Sequence, residues 1–339
     1  ELELAANRKP YLDDEALEGP RLEKALLWGV LSLMVIGIGL PLYWLVEPNR
    51  QEGAVEFFED RFAGDTAAAH QPFGGGALFK GTSEGGFNCA GCHGGDAAIG
   101  GEVPYTLTDP VSGELRQVNW FAPALNTATL RFDDDQLRDV LTYGRPFSPM
   151  PAWGLEGGGP MNTQQIDNLI AYMHSIELDR DDARRAMTLA ALEEGGFDEE
   201  LAEYEELDAE LAAATDDAER ESIQEEMDDL LAGLDQMAYG ESLFNLNCAR
   251  CHTMGYSYGE PAANGSGAFG PPLYNTVDQF PLVEDHVDFV ANGRGRGEQY
   301  GQNGQASGRM PFFNQLLTTE QIEAIVEYER SLEVEEEGE

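Results

Sequence analysis

The chain has 339 residues, long enough for two small domains and additional segments. It carries 63 acidic against 20 basic residues, a formal net charge of −43, and so negative a surface repels a polyphosphate backbone and excludes nucleic acid as a partner. The acid reads either as steering for basic partners or as general adaptation to salt, and the presence of only three lysines (Lys9, Lys24, Lys80) leans towards the second.

The first element in chain order is apolar. After an N-terminal tail, 1–24, residues 25–46 read ALLWGVLSLMVIGIGLPLYWLV without a charge. At 1.5 Å per residue such a helix covers about 33 Å, enough to cross a hydrocarbon core. Trp28 stands at one end and Tyr43 and Trp44 at the other, as interfacial rings should. The long preceding tail and the lack of an A-x-A pattern after the run predict a retained transmembrane helix rather than a cleaved signal. Arg8, Lys9, Arg21 and Lys24 precede it and only Arg50 follows closely, so the tail is expected in the cytoplasm and the rest outside. Residues 47–74 read as a linker.

Next comes Cys89-Ala90-Gly91-Cys92-His93, and the same spacing returns as Cys248-Ala249-Arg250-Cys251-His252, which uses up all four cysteines. Cys-x-x-Cys-His is the pattern of c-type haem attachment: two thiols add to the porphyrin vinyl groups and the adjacent imidazole reaches the iron. A zinc site would need both copies to converge on one metal, although each has its own surrounding pattern. A thioredoxin-like pair would need a βαβ context, which is lacking.

Each copy heads a longer repeat. Pro123-Ala124-Leu125 corresponds to Pro271-Pro272-Leu273, the stretch ending Gly144-Arg145 to that ending Gly293-Arg294, and Met150-Pro151 to Met310-Pro311. A terminal helix is predicted in each from Ile166, Leu169, Ile170 and Met173, and from Ile322, Ile325 and Val326. Asn162 with Gln165, and Thr318 with Gln321, have capping-box spacing. Ahead of the second motif Gly240 would allow close helix contact, with Phe244 packing there. The first unit offers Gly76, Leu78 and Phe79, but Gly81–Gly86 is an insertion that predicts a broken first helix. Alternation over 102–119 about Asp109–Gly113 predicts a small β-hairpin over a haem edge. Residues 292–308, rich in Gly, Gln and Asn, predict an irregular loop held near its end by Met310.

Between the units, 179–236 holds about 22 acidic and 4 basic residues. Leu201, Tyr204, Leu207 and Leu211, then Ile223, Met227, Leu230, Leu231 and Leu234, recur at helical spacing and predict an antiparallel helical hairpin with an apolar seam. A passive spacer, a docking surface for a partner subunit and a disordered acidic linker stand as readings of this insert.

The combination of haem motif, Pro-x-Leu, Met-Pro and terminal helix resembles the class I cytochrome c domain, twice over, across 75–178 and 237–335. The resemblance implies an all-α fold with first and last helices crossing around each of two covalently bound haem c groups. It also implies that the Pro123 and Pro271 carbonyls accept from the histidine Nδ1 atoms and fix the rings. The layout of one membrane helix and two such domains resembles the dihaem c subunits of actinobacterial-type cytochrome bc complexes and of cbb3-type oxidases.

A haem that only passes electrons wants six-coordinate iron, and a thioether opposite the imidazole raises its potential. The expected ligand pairs are therefore His93 with Met150 and His252 with Met310, with Cys89, Cys92, Cys248 and Cys251 holding the porphyrins. Met161 is a weaker alternative to Met150. Met254 lies too near His252 to reach the opposite face. Met173 reads as core, His174 as surface, His70 and His286 as surface or packing, and Trp153 as packing near the first haem. No separate catalytic site stands out. The expected function is electron transfer in a respiratory chain, between a quinol-oxidising bc-type complex and a terminal haem-copper oxidase, on the bacterial cytoplasmic membrane. A haem subunit of a periplasmic dehydrogenase is the alternative. A dihaem peroxidase, which needs an iron position open to peroxide, is disfavoured by two Met-Pro elements.

Overall fold

The computed structural model describes residues 18–67, 75–95, 98–108, 113–145 and 148–332, and of 44–67 only the backbone. The hairpin turn 109–112 and His70 lie outside the described residues. The chain divides into two compact units, Glu1–Gly64 and Asp65–Glu339.

The first unit contains helix α1 (Pro20–Ala67). Its segment Pro20–Tyr43, 24 residues long, contains an 18-residue window of mean hydropathy 2.2 with no buried share, which is the composition of a membrane-crossing helix. The helix does not end with the apolar run but continues to Ala67, through most of the stretch read as a linker.

The second unit is almost wholly helical and contains two separate hydrophobic cores. Around the first are α2 (Gly75–Phe79), α3 (Ala90–His93), the hairpin β1 (Gly101–Thr108) and β2 (Leu115–Ala122), α4 (Asp134–Tyr143) and α5 (Thr163–Ser175). As expected, α2 is cut short by the glycine-rich insertion, which turns through a 3₁₀ segment at Thr82–Glu84. Pairing of Gly101 with Ala122 through Thr108 with Leu115 sets the hairpin register. The terminal helix α5 opens on the Asn162–Gln165 capping box and buries Ile166, Leu169, Ile170 and Met173.

Three acidic helices follow: α6 (Arg180–Glu194), α7 (Asp198–Ala213) and α8 (Asp217–Ala232). The last two form the expected hairpin, closed by Tyr204, Leu207, Ile223 and Met227. The sequence reading missed α6, and with it the attachment of the insert. Ala183, Ala191 and Leu192 of α6 are fully buried in the same core as the second cytochrome-like unit. The buried Gln321 amide donates to Thr188 Oγ1 and Tyr239 Oη, at 3.0 Å each, joining the insert to that unit by hydrogen bonds as well. The insert is thus an ordered part of a larger core, which removes the disordered-linker reading.

The second unit proper comprises α9 (Gln236–Asn247), α10 (Ala249–His252), α11 (Thr276–Gln279), α12 (Val283–Asn292), the two-residue strands β3 (Gln299–Tyr300) and β4 (Gly304–Gln305), and α13 (Thr319–Ser331). Helices α9 and α13 cross at Gly240, where an added Cβ would lie 2.2 Å from the Ala324 carbonyl oxygen. Phe244 packs on Tyr328 at 5.3 Å between ring centres, as Phe79 packs on Tyr172 at 5.2 Å in the first cytochrome-like domain, so one helix-crossing device is used twice. The 292–308 loop is irregular apart from β3 and β4.

Candidate functional site

Each Cys-x-x-Cys-His motif forms a single helical turn. In α3 the backbone N–H of His93 donates to the Cys89 carbonyl at 2.9 Å, and in α10 that of His252 donates to the Cys248 carbonyl at 2.9 Å. That turn places both thiols and the imidazole on one side of the backbone, because residues three and four apart share a helix face. The four cysteines are free thiols, so no disulfide competes for them.

Both imidazoles are buried and fixed in the same way. His93 Nδ1 lies 2.8 Å from the Pro123 carbonyl oxygen, and His252 Nδ1 lies 2.8 Å from that of Pro271. A carbonyl can only accept, so the proton sits on Nδ1 and the Nε2 lone pair is left for a metal. Packing holds the second ring as well: a Cβ at Gly270 would fall 2.5 Å from His252 Cε1, so the residue before Pro271 must be glycine.

The methionines sit on the Met-Pro loops. Met150 is half-buried against the first core, and its carbonyl accepts from the Arg145 N–H at 3.2 Å. Met310 is half-buried against the second core. Met161, in contrast, is fully buried among core side chains and bonded through its backbone to Trp153 and Leu155, so it is structural. Met254 is exposed and Met173 is core. His174 is exposed and pairs with Asp134 at 2.8 Å. Trp153 packs edge-on to Phe87 at the first site.

The surroundings are apolar. Burial pushes the Cys89 thiol up to about 11, and burial also raises Cys248 and Cys251. Burial lowers His93, a change that its bond to Pro123 opposes. Two thiols and an imidazole in each motif are the donor set of a covalently held iron porphyrin. Near Cys248 lies Glu329, which no sequence signal marked out. This buried carboxylate pairs with the buried His286 at 3.0 Å and adds to the elevation of the thiol. By the repeat alignment its counterpart in the first unit is Met173, so neither repetition nor helical periodicity could have flagged it.

Compared with known protein families, residues 237–333 match the family model described as cytochrome c. Residues 76–173 match the one described as cytochrome C oxidase, cbb3-type, subunit III. This chain carries two cytochrome c domains. No curated protein and no solved structure matched it significantly. Haem c is the cofactor such domains imply, and each of the two domains carries one Cys-x-x-Cys-His motif. Among the described residues, no cluster of three or more His, Cys, Asp or Glu side chains forms a separate metal centre.

Proposed function

We propose that this cytochrome is a membrane-anchored dihaem electron carrier of a respiratory chain, working between a quinol-oxidising bc-type complex and a terminal haem-copper oxidase. The observation that carries the reading is the matched pair of fixed imidazoles, His93 on Pro123 and His252 on Pro271, each beside two free thiols. Bound there, an iron porphyrin supplies a one-electron couple. The protein's part is to hold it between His93 and Met150 in one domain and His252 and Met310 in the other. A neutral thioether favours the reduced metal and raises the potential, and full coordination keeps other ligands off. Burial of both sites strengthens this preference, since a low dielectric penalises the extra positive charge of the oxidised metal.

Respiratory placement is supported by the likeness of the first domain to a cbb3-type oxidase subunit and by the apolar helix Pro20–Tyr43. The basic residues before the helix favour a cytoplasmic N-terminus and extracytoplasmic haem domains. Anchoring replaces free diffusion by a high local concentration near membrane partners. The test is extraction of the denatured, purified protein with acidified acetone. The pigment should stay with the polypeptide, and the pyridine haemochrome should report two haems per chain. Release of the pigment overturns the proposal.

A further inference from the structure

The two domains meet at a seam, and the seam runs directly between the two attachment motifs. From the first domain comes β2. Trp120, almost fully buried, packs on Tyr258 at 5.7 Å and on Phe269 at 6.4 Å, and Arg116 pairs with Glu260. Leu130 is buried in the core of the second domain, and the Phe312 N–H donates to the Arg131 carbonyl at 3.1 Å. The hairpin expected to cover a haem edge is thus engaged with the neighbouring domain.

Arg250 lies at the centre of this seam. It stands between the two cysteines of the second motif, and its Nη1 donates to the carbonyl of Phe121, at the end of β2. Two residues further along is Pro123, whose carbonyl receives the His93 proton. One side chain therefore joins the strap behind His93 to the peptide that bears Cys251 and His252. A second connection runs parallel to it: Arg131 Nη2 approaches the Ala124 carbonyl at 3.4 Å, and the Arg131 carbonyl accepts from Phe312, two residues past Met310.

Charge singles out the same place. Arg250 directly precedes Cys251 and has no carboxylate partner among the described residues, in a chain of net charge −43. Arg250 is half-buried and carries no countercharge, and an iron centre close by, which becomes less positive on reduction, is stabilised in its reduced form by such a cation.

We propose that Arg250 is a positioning residue that ties the two redox centres together at a fixed, short separation across the domain seam and favours the reduced state of the second. This rests on the dihaem reading above. In the transfer it serves, one iron loses the electron that the other gains, with no further reactant.

The experiment uses the full-length detergent-solubilised protein. Two porphyrins held close and at a fixed angle give a two-signed couplet in Soret circular dichroism. Arg250→Met should collapse that couplet and lower one of the two midpoint potentials while both haems stay attached. Arg250→Lys, which keeps the charge and loses the fork, should restore the potential more fully than the couplet. Trp120→Ala, which opens the seam without touching a motif, should also weaken the couplet. Unchanged couplet and potentials in Arg250→Met with both haems attached overturn the proposal alone. If that variant does not mature, an unchanged couplet in Trp120→Ala overturns it. Fewer than two attached haems in the unaltered protein overturn the functional reading and this proposal together.

Discussion

At the scale of single residues, the iron environment rests on few atoms. On the proposed ligand set, replacing Met150 or Met310 by alanine would remove a soft neutral donor and leave an open position. Each substitution should lower one midpoint potential and create one carbon monoxide-reactive centre, as redox titration and the reduced-plus-CO spectrum would show. A variant with both potentials and an unreactive spectrum intact would disprove the ligand assignment at that site. Gly240 tests the helix crossing. Alanine would favour the helix locally by roughly 0.5–1 kcal/mol, but its Cβ would press on the Ala324 carbonyl, 2.2 Å away. Overpacking of this kind costs about 1–3 kcal/mol, so the crowding wins. Gly240→Ala should lower the denaturant midpoint of the second domain, and an unchanged midpoint would contradict the close crossing.

At the scale of elements, the insert is the informative case. Leu192 is completely buried among residues of the second domain, so Leu192→Ala should cost about 2–5 kcal/mol, measured by chemical denaturation. A loss of a few tenths would restore the idea of a detached spacer. The sequence showed α7 and α8 because large apolar residues recur there at helical spacing. It hid α6 because Ala183, Met187 and Ala191 form a face of small or flexible side chains within a strongly charged stretch. Capping boxes were legible at Asn162 and Thr318 because the signal is local, two residues at fixed spacing. The hairpin was legible from its alternation. What it packs on was not, since Trp120 meets Tyr258 and Phe269 only through tertiary folding. Arg250 was visible in the motif, but nothing along the chain said that it reaches Phe121.

At the scale of the whole molecule, the apolar helix sets the setting in which the domains work. High-salt and alkaline washes should leave the protein in the membrane fraction, and detergent should release it. Removal of residues 20–43 should yield a soluble cytochrome with its haem spectrum intact, and retention of that truncated form on membranes would mean that something else holds it there. The shared core of the insert and the second domain has a practical consequence. The segment matching the cytochrome c family begins at 237, yet a fragment cut there would lose Ala191 and Leu192, and Tyr239 would lose the neighbouring Thr188, with which it shares the Gln321 amide. An excised C-terminal half should stand by itself only if it starts near Asp179, so the smallest autonomous piece is considerably longer than the family's own outline.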